Sequence, residues 1–397
     1  MSTEDTTTTP RPGPLAGLRV VEIGSIGPGP FCAMLLADLG AEIIRIDRVQ
    51  DAGPVGPSAN HGNELVNRGR RSVKVDLKHP RGAEVVLGLV ERADVLIEGF
   101  RPGVTERLGI GPEVCLARNP RLVYGRMTGY GQAGPDAMKA GHDMNYIAAN
   151  GVLGMIGRRD QPPTPPLNLV GDLGGGGLML ALGVLAAIVE RGTSGAGQVI
   201  DAAMVDGSAV LATSFFGWAQ SGEWAPERGT NMIDSGAPYY DVYETADGGW
   251  LSVASVEPRF YAALLGLLEL DPQTLPDQDD RSAWPALKEL FASVIKTRSR
   301  DEWADRAADL EVCVAPVLNV DEVEKDPHLA ARGTFVEFEG VLQPAPAPRF
   351  SRTAAALTRR PPLPGEHTED ALTDWGCAAN DIRDWLDAGV IARGESR

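Results

Sequence analysis

The sequence is poor in the residues that metal sites and disulfide frameworks need. Only four cysteines, at 32, 115, 313 and 377, and five histidines occur in 397 residues. The cysteines share no paired spacing, which argues against a zinc site and against a stapled secreted scaffold. A reducing cytoplasm is the expected compartment. Positive charge is also scarce. Thirty-seven Lys and Arg against 54 Asp and Glu leave a formal net charge of −17. Such a surface argues against nucleic-acid binding, and an anionic ligand would need basic residues gathered locally against the overall field. No apolar run is read as long enough to span a bilayer. The start, "MSTEDTTTTPRPGP", lacks a basic n-region and an apolar h-region, so residues 1–14 are expected to be a disordered tail and not a signal peptide. The end, "GESR", carries none of the short address signals.

What is present is an alternation of strand and helix patterns. "GLRVVEIG" (17–24), "AEIIRIDR" (41–48), "SVKVDL" (72–77), "DVLIEGF" (94–100), "RLVYGRMTGYG" (121–131) and "QVIDAAM" (198–204) read as strands. Helical stretches fall between them, one over about His79–Glu91 and a long one from near Asp172. This spacing predicts a parallel sheet with crossover helices, an α/β, Rossmann-like large domain over 15–224. From 225 to 335 the chain turns to hairpin and amphipathic-helix patterns, a smaller α+β domain. "QPAPAPRFSRT" (343–353) reads as a proline-rich return linker. Residues 336–397 then bring the chain back to the large domain, with a helical tail docking on it.

The first strand-to-helix turn, "GSIGPGP", puts glycine at 24, 27 and 29 and so misses the G-x-G-x-x-G dinucleotide fingerprint. Pro28 and Pro30 also remove backbone donors that a pyrophosphate would use. Basic residues tell more. Arg48, Lys78, Arg101 and Arg107 fall at or after strand ends of one sheet, the edge where open parallel sheets bind ligands. A phosphorylated nucleotide fits there, although each residue alone also reads as a solvated surface charge.

Three further residues stand out. Asp172, in "NLVGDLGGGG", is a natural helix N-cap. Four glycines directly after it, each costing about 1 kcal/mol relative to alanine, imply that a backbone or ligand comes close. A carboxylate there would also neighbour backbone N–H groups able to stabilise an oxyanion. Glu257 precedes Pro258 at a helix start, where Glu is not a preferred cap. "GHDMNY" (141–146) sets His142 beside Asp143. Read as extended backbone, it sends the two side chains to opposite faces. The partners of His142 then come from elsewhere, and Asp143 is left a structural role, bonding backbone near Tyr146.

Together these stretches resemble the CaiB/BaiF group, the family III CoA-transferases, and within it the racemase branch. The likeness is carried by "RSVKVDLKHPRG", "GHDMNYIAANGVL", "PLNLVGDLGGGGLMLALG", "GQVIDAAMVDG", "NMIDSGAPYYDVYETADGG" and "VEPRFY", and spans nearly the whole chain. It implies inversion of the α-carbon of 2-methylacyl-CoA thioesters. His142 and Asp172 would exchange the proton on two faces, with Glu257 supporting His142. It implies that Arg48, Val75, Asp76, Leu77, Lys78, Gly99, Phe100, Arg101 and Arg107 hold the CoA. Gly141, Asp143, Met144, Asn145 and Tyr146 would line the acyl thioester. It also implies an interlocked homodimer, with Glu257 of one chain serving the site of the other. No metal or redox cofactor is expected, coenzyme A being part of the substrate. The transferase branch uses an aspartate at the Asp172 position as a nucleophile but generally lacks the histidine and the glutamate. That branch, and a non-catalytic acyl-CoA-binding protein, are the alternatives. Met144 stands where the racemase branch usually has Ile, and "SVEPRFY" where it has "IEPQFY"; both bear on substrate size.

Overall fold

The structure is a computed structural model and describes residues 12–50 and 64–394. All but the last three residues of the expected N-terminal tail lie outside the described residues. Chain packing divides the molecule into two units. One takes in the described residues of Met1–Asn150, Leu167–Leu211 and Ala331–Arg397; the other is Gly151–Pro166 with Ala212–Ala330. The second unit therefore draws in residues 151–166 and 212–224, which the sequence reading assigned to the large domain.

The large unit is built on β1 (Arg19–Ile23), β2 (Glu42–Asp47), β3 (Arg70–Val75), β4 (Val95–Glu98), β5 (Val123–Thr128) and β6 (Val199–Ala203). They lie parallel, in the order β3-β2-β1-β4-β5-β6. The order reverses between β1 and β4, so a crevice opens at their carboxyl ends, where such sheets take ligands. Both faces are apolar. Val21, Ile44 and Leu96 point into one core and Val20, Ile43 and Val95 into the other, all fully buried.

Two element boundaries moved for clear reasons. Strand β3 starts at Arg70, two residues before the expected start, because its arginines are neutralised inside the protein. The Arg70 guanidinium lies against Glu22 at 2.6 Å, both fully buried, as a charge pair and not an aligned hydrogen bond. Arg71 pairs with Asp374 at 2.5 Å and also with Glu42. The helix expected from His79 starts only at Gly82. His79 precedes Pro80, and the residue before proline is disfavoured in the helical region. A turn closed by the Gly82 N–H donating to the His79 carbonyl (2.8 Å) fills the gap.

The tail adds an element the sequence did not reveal. Helices Thr368–Asp374 and Ala379–Asp387 bury Leu372, Trp375, Ile382 and Trp385 in the large unit's core. The two-residue strand Ile391–Ala392 then pairs antiparallel with β3 and covers that edge. Within the stretch read as a return linker, Gln343 and the Pro344 carbonyl both accept hydrogen bonds from Arg68 (3.0 and 2.9 Å).

The smaller unit holds a three-stranded antiparallel sheet of Tyr240–Glu244, Trp250–Ala254 and Val314–Pro316. Helices Pro258–Leu267, Trp284–Ile295 and Arg300–Ala307 pack their apolar faces around Leu264, Phe291, Ile295 and Trp303.

Contrary to the sequence reading, one segment, Leu169–Ser194, is long and apolar enough by composition to cross a membrane. It is not one regular helix. Leu169–Leu178 forms wide π-helical turns, and only Met179–Ser194 is α-helical. Its glycines are packed against protein. A Cβ on Gly175 would lie 2.4 Å from the Ser208 nitrogen, and one on Gly177 2.6 Å from the Pro28 carbonyl. The glycine run therefore lets two neighbouring helices, Pro28–Asp38 and Met204–Leu211, approach the π-helical turns closely.

Candidate active site

Asp172 lies in the first π-helical turn, where the Leu173 N–H reaches back to the Asn168 carbonyl at 3.2 Å. The expected simple N-cap is thus replaced by a widened turn, a form often found at functional sites. The carboxylate accepts a hydrogen bond from the Asn168 amide (3.3 Å). On its other side stands Gly27, at φ +71 in the turn after β1; a Cβ there would come within 3.2 Å of Asp172 Oδ2. The turn that failed the dinucleotide fingerprint thus makes room for the carboxylate at the sheet's switch point. Burial pushes the Asp172 carboxyl above the usual aspartate range; the Asn168 hydrogen bond opposes this, the Asp143 charge adds to it and His142 opposes it.

"GHDMNY" is not extended, as the sequence reading assumed. Only His142 has extended backbone, capping a helix that runs Asp143–Ala149. The His142 N–H donates to Asn145 Oδ1 (3.0 Å) and its carbonyl accepts from the Asn145 N–H (2.8 Å). His142 itself is exposed. Asp143 does not bond backbone near Tyr146. Its Oδ2 accepts the backbone N–H of Asp172 at 2.6 Å, and the residue is only 4% exposed. The Tyr146 hydroxyl instead donates to the Gly141 carbonyl. Burial, and then the nearby Asp172 charge, push that hydroxyl up to about 12.

The basic residues stay on the expected edge. Arg48 follows β2 directly, Lys78 and Arg101 come three residues after β3 and β4, and Arg107 ends the short helix Val104–Arg107. All four are exposed, and none forms an ion pair with a described residue. Gly99 and Phe100 lie in the turn after β4, where Glu98 accepts the Phe100 N–H at 2.7 Å. Val75 is buried within β3, and Asp76 and Leu77 follow it. Gly141, Met144 and Asn145 flank the histidine, with Met144 exposed. Ser25 was missed by sequence reasoning. Its buried hydroxyl has no hydrogen-bond partner, and a Cβ on Gly99 would come within 2.9 Å of it.

Glu257 belongs to the smaller unit, at the N-terminus of helix Pro258–Leu267. Its side chain is exposed and does not cap that helix. The Tyr261 N–H bonds its backbone carbonyl (2.9 Å), leaving the carboxylate free of hydrogen bonds to described residues.

Residues 15–368 match CoA-transferase family III, and the chain belongs to that family. It is 44% identical over 370 residues to the α-methylacyl-CoA racemases of Mus musculus and Homo sapiens, covering 93% of this chain and 95% of each relative. It is 31% identical to the succinyl-CoA–D-citramalate CoA-transferase of Chloroflexus aurantiacus, over 91% of this chain and 94% of that one. The crystal structure of a CaiB/BaiF family protein from Brucella suis superposes with a TM-score of 0.79 at 28% identity, covering 92% of this chain and all of that one.

Proposed function

We propose that this chain interconverts the two configurations at the α-carbon of 2-methylacyl-CoA thioesters, the activity for which its mouse and human relatives are named. The observation that carries the reading is the pairing of an exposed imidazole, His142, with a half-buried carboxyl, Asp172, whose proton affinity is raised. A thioester α-proton is a very weak acid, so its removal needs a base placed at the carbon and a stabilised enolate oxygen. In one direction Asp172 takes the proton and the C–H electron pair moves into the thioester as an enolate. The His142 imidazolium then returns a proton to the opposite face. The enzyme is left with Asp172 protonated and His142 neutral, the form that runs the reaction backwards. Glu257 orients the imidazole and stabilises its charge, as carboxylates do in other His–acid pairs. The test is α-deuterium uptake from 2-methylacyl-CoA in heavy water. The competing transferase reading, with Asp172 as nucleophile, expects instead an adduct trapped by hydroxylamine. No metal or redox cofactor enters this scheme, and the cytoplasm is the proposed compartment.

The CoA nucleotide belongs, on this reading, at Arg48, Val75–Lys78, Gly99–Arg101 and Arg107, with the thioester along residues 141–146. Hydrogen bonds to charged groups contribute about 1.5–3 kcal/mol, so removing Arg48, Arg101 or Arg107 should weaken CoA binding about ten- to a hundredfold each. If the triple alanine variant binds CoA like the parent in titration calorimetry, the nucleotide assignment is wrong.

We also propose that two copies associate. Leu178, Leu182, Val189 and Val210 are exposed on neighbouring elements of the large unit, Leu182 by 61% and Val189 by 76%. A second copy is the proposed cover for these side chains, with Glu257 of one chain serving His142 of the other. Light scattering should report a dimer. A fully active monomer would overturn this arrangement.

A further inference from the structure

Asp143 is a buried carboxyl that the mechanism above does not use. Its residue is 4% exposed. Oδ2 accepts the Asp172 backbone N–H at 2.6 Å, while Oδ1 is buried with no hydrogen-bond partner. No cation among the described residues forms an ion pair with it. The fit is close. A Cβ on Gly171 would stand 2.7 Å from Oδ2 and 2.9 Å from Cγ, so this approach requires the glycine. A buried carboxylate with one oxygen unpaired is costly, because charge leaving water needs compensation that it lacks here. An asparagine would fit the same space and could still accept the Asp172 N–H. What aspartate adds is the charge.

We propose that Asp143 is a positioning residue for Asp172: it fixes the Asp172 backbone from behind and supplies the negative charge against which Asp172 works. The inference rests on the racemase reading. It assigns the Asp143 carboxylate a task apart from the thioester, which the backbone of 141–146 is proposed to line. It also joins the two proton-transfer groups mechanically, since His142 and Asp143 are adjacent and Asp143 holds Asp172.

The chemistry follows from reversibility. A thioester α-carbon holds its proton far more tightly than an ordinary carboxylate would. A carboxylate that must take this proton, and keep it until the reverse reaction returns it to the enolate, gains from a raised proton affinity. A neighbouring like charge supplies that. The groups acting on Asp172 are Asn168 on its own turn and Asp143 and His142 from the neighbouring helix and its cap. Tyr146 on that helix senses the Asp172 charge in turn, and Arg101 acts on Tyr146.

The experiment measures α-deuterium uptake and racemisation against pH for the parent, Asp143→Asn and Asp143→Ala, with melting curves for each. Asp143→Asn keeps the acceptor and loses the charge. The acid limb of its kcat/KM profile should move to lower pH, because Asp172 then protonates less readily. Asp143→Ala loses both and should fall about 10²-fold in kcat through misplacement of Asp172, with KM little changed. Gly171→Ala covers the case in which Asp143→Asn does not fold. Both carboxylates remain, but the new methyl displaces Asp143, and kcat should fall as in Asp143→Ala. An Asn variant whose acid limb superimposes on the parent's reduces Asp143 to a structural support and overturns the proposal. So does parent-like kcat in Asp143→Ala or Gly171→Ala. A parent that takes up no deuterium removes the racemase reading and this inference with it. A parent that exchanges normally beside an unmoved acid limb removes this inference alone.

Discussion

Alanine at Asp172 should cut racemisation of 2-methylacyl-CoA by about 10²–10⁴-fold, and alanine at His142 should do the same, since each removes the general base on one face. The two variants should differ in what survives. Without Asp172, the His142 face can still take a proton, exchange it with solvent and return it to the same side. Asp172→Ala should therefore load deuterium into one enantiomer without inverting it. His142→Ala should do so with the other enantiomer. Glu257→Gln should cost less than either, because the imidazole remains and loses only its support. The pH profile adds a check. Burial raises the Asp172 carboxyl, and the singly protonated pair is the active form. Activity is lost as pH falls through the Asp172 value, so the acid limb should lie above the usual aspartate range. Near-normal rates in His142→Ala, or hydroxylamine-trapped adducts in the parent that vanish in Asp172→Ala, would give the reaction to the transferase reading.

Arg70→Met should destabilise the protein by about 3–5 kcal/mol, the usual cost of removing one partner from a buried ion pair. Arg70 and Glu22 are both fully buried at 2.6 Å. Glu22 also faces Arg45 at 2.5 Å, and Arg45 reaches Asp47 at 2.9 Å. Losing Arg70 leaves the Glu22 charge with one cation, in a core that cannot hydrate it. It also strips a donor from the Pro30 and Val66 carbonyls. Pro30 lies in the first turn of the helix that follows Gly27, the neighbour of Asp172, so activity should fall along with stability. Urea unfolding reads the effect. A change below about 1 kcal/mol would mean that water or a shifted side chain compensates the orphaned glutamate, and that the pair does not anchor this corner.

The sequence by itself determined the parallel sheet and which basic residues fall just past its strand ends. The apolar runs Val20–Val21 of β1, Ile43–Ile44 of β2 and Val95–Ile97 of β4 put apolar side chains on both faces, so burial on both faces suits them. Helices between them force parallel pairing. The arginines just past the strand ends then fall together on the edge where the nucleotide is proposed to bind. His142, Asp172 and Glu257 were legible because each breaks a local rule or sits in a recognisable motif. The start of β3 was not, since Arg70 and Arg71 look like surface until Glu22, Glu42 and Asp374 arrive from distant segments. Neither was Ile391–Ala392, because two residues make no pattern and become a strand only against the free edge of β3. The glycines after Asp172 announced a close approach, but not of what; only the neighbouring helices identified protein backbone and side chains. The contact made by Asp143 lay furthest from the sequence. Its partner is 29 residues away and is a backbone N–H, which no side-chain pattern records. Tertiary structure decided it because π-helical turns at Asp172 and a glycine at 171 bring that N–H to the carboxylate.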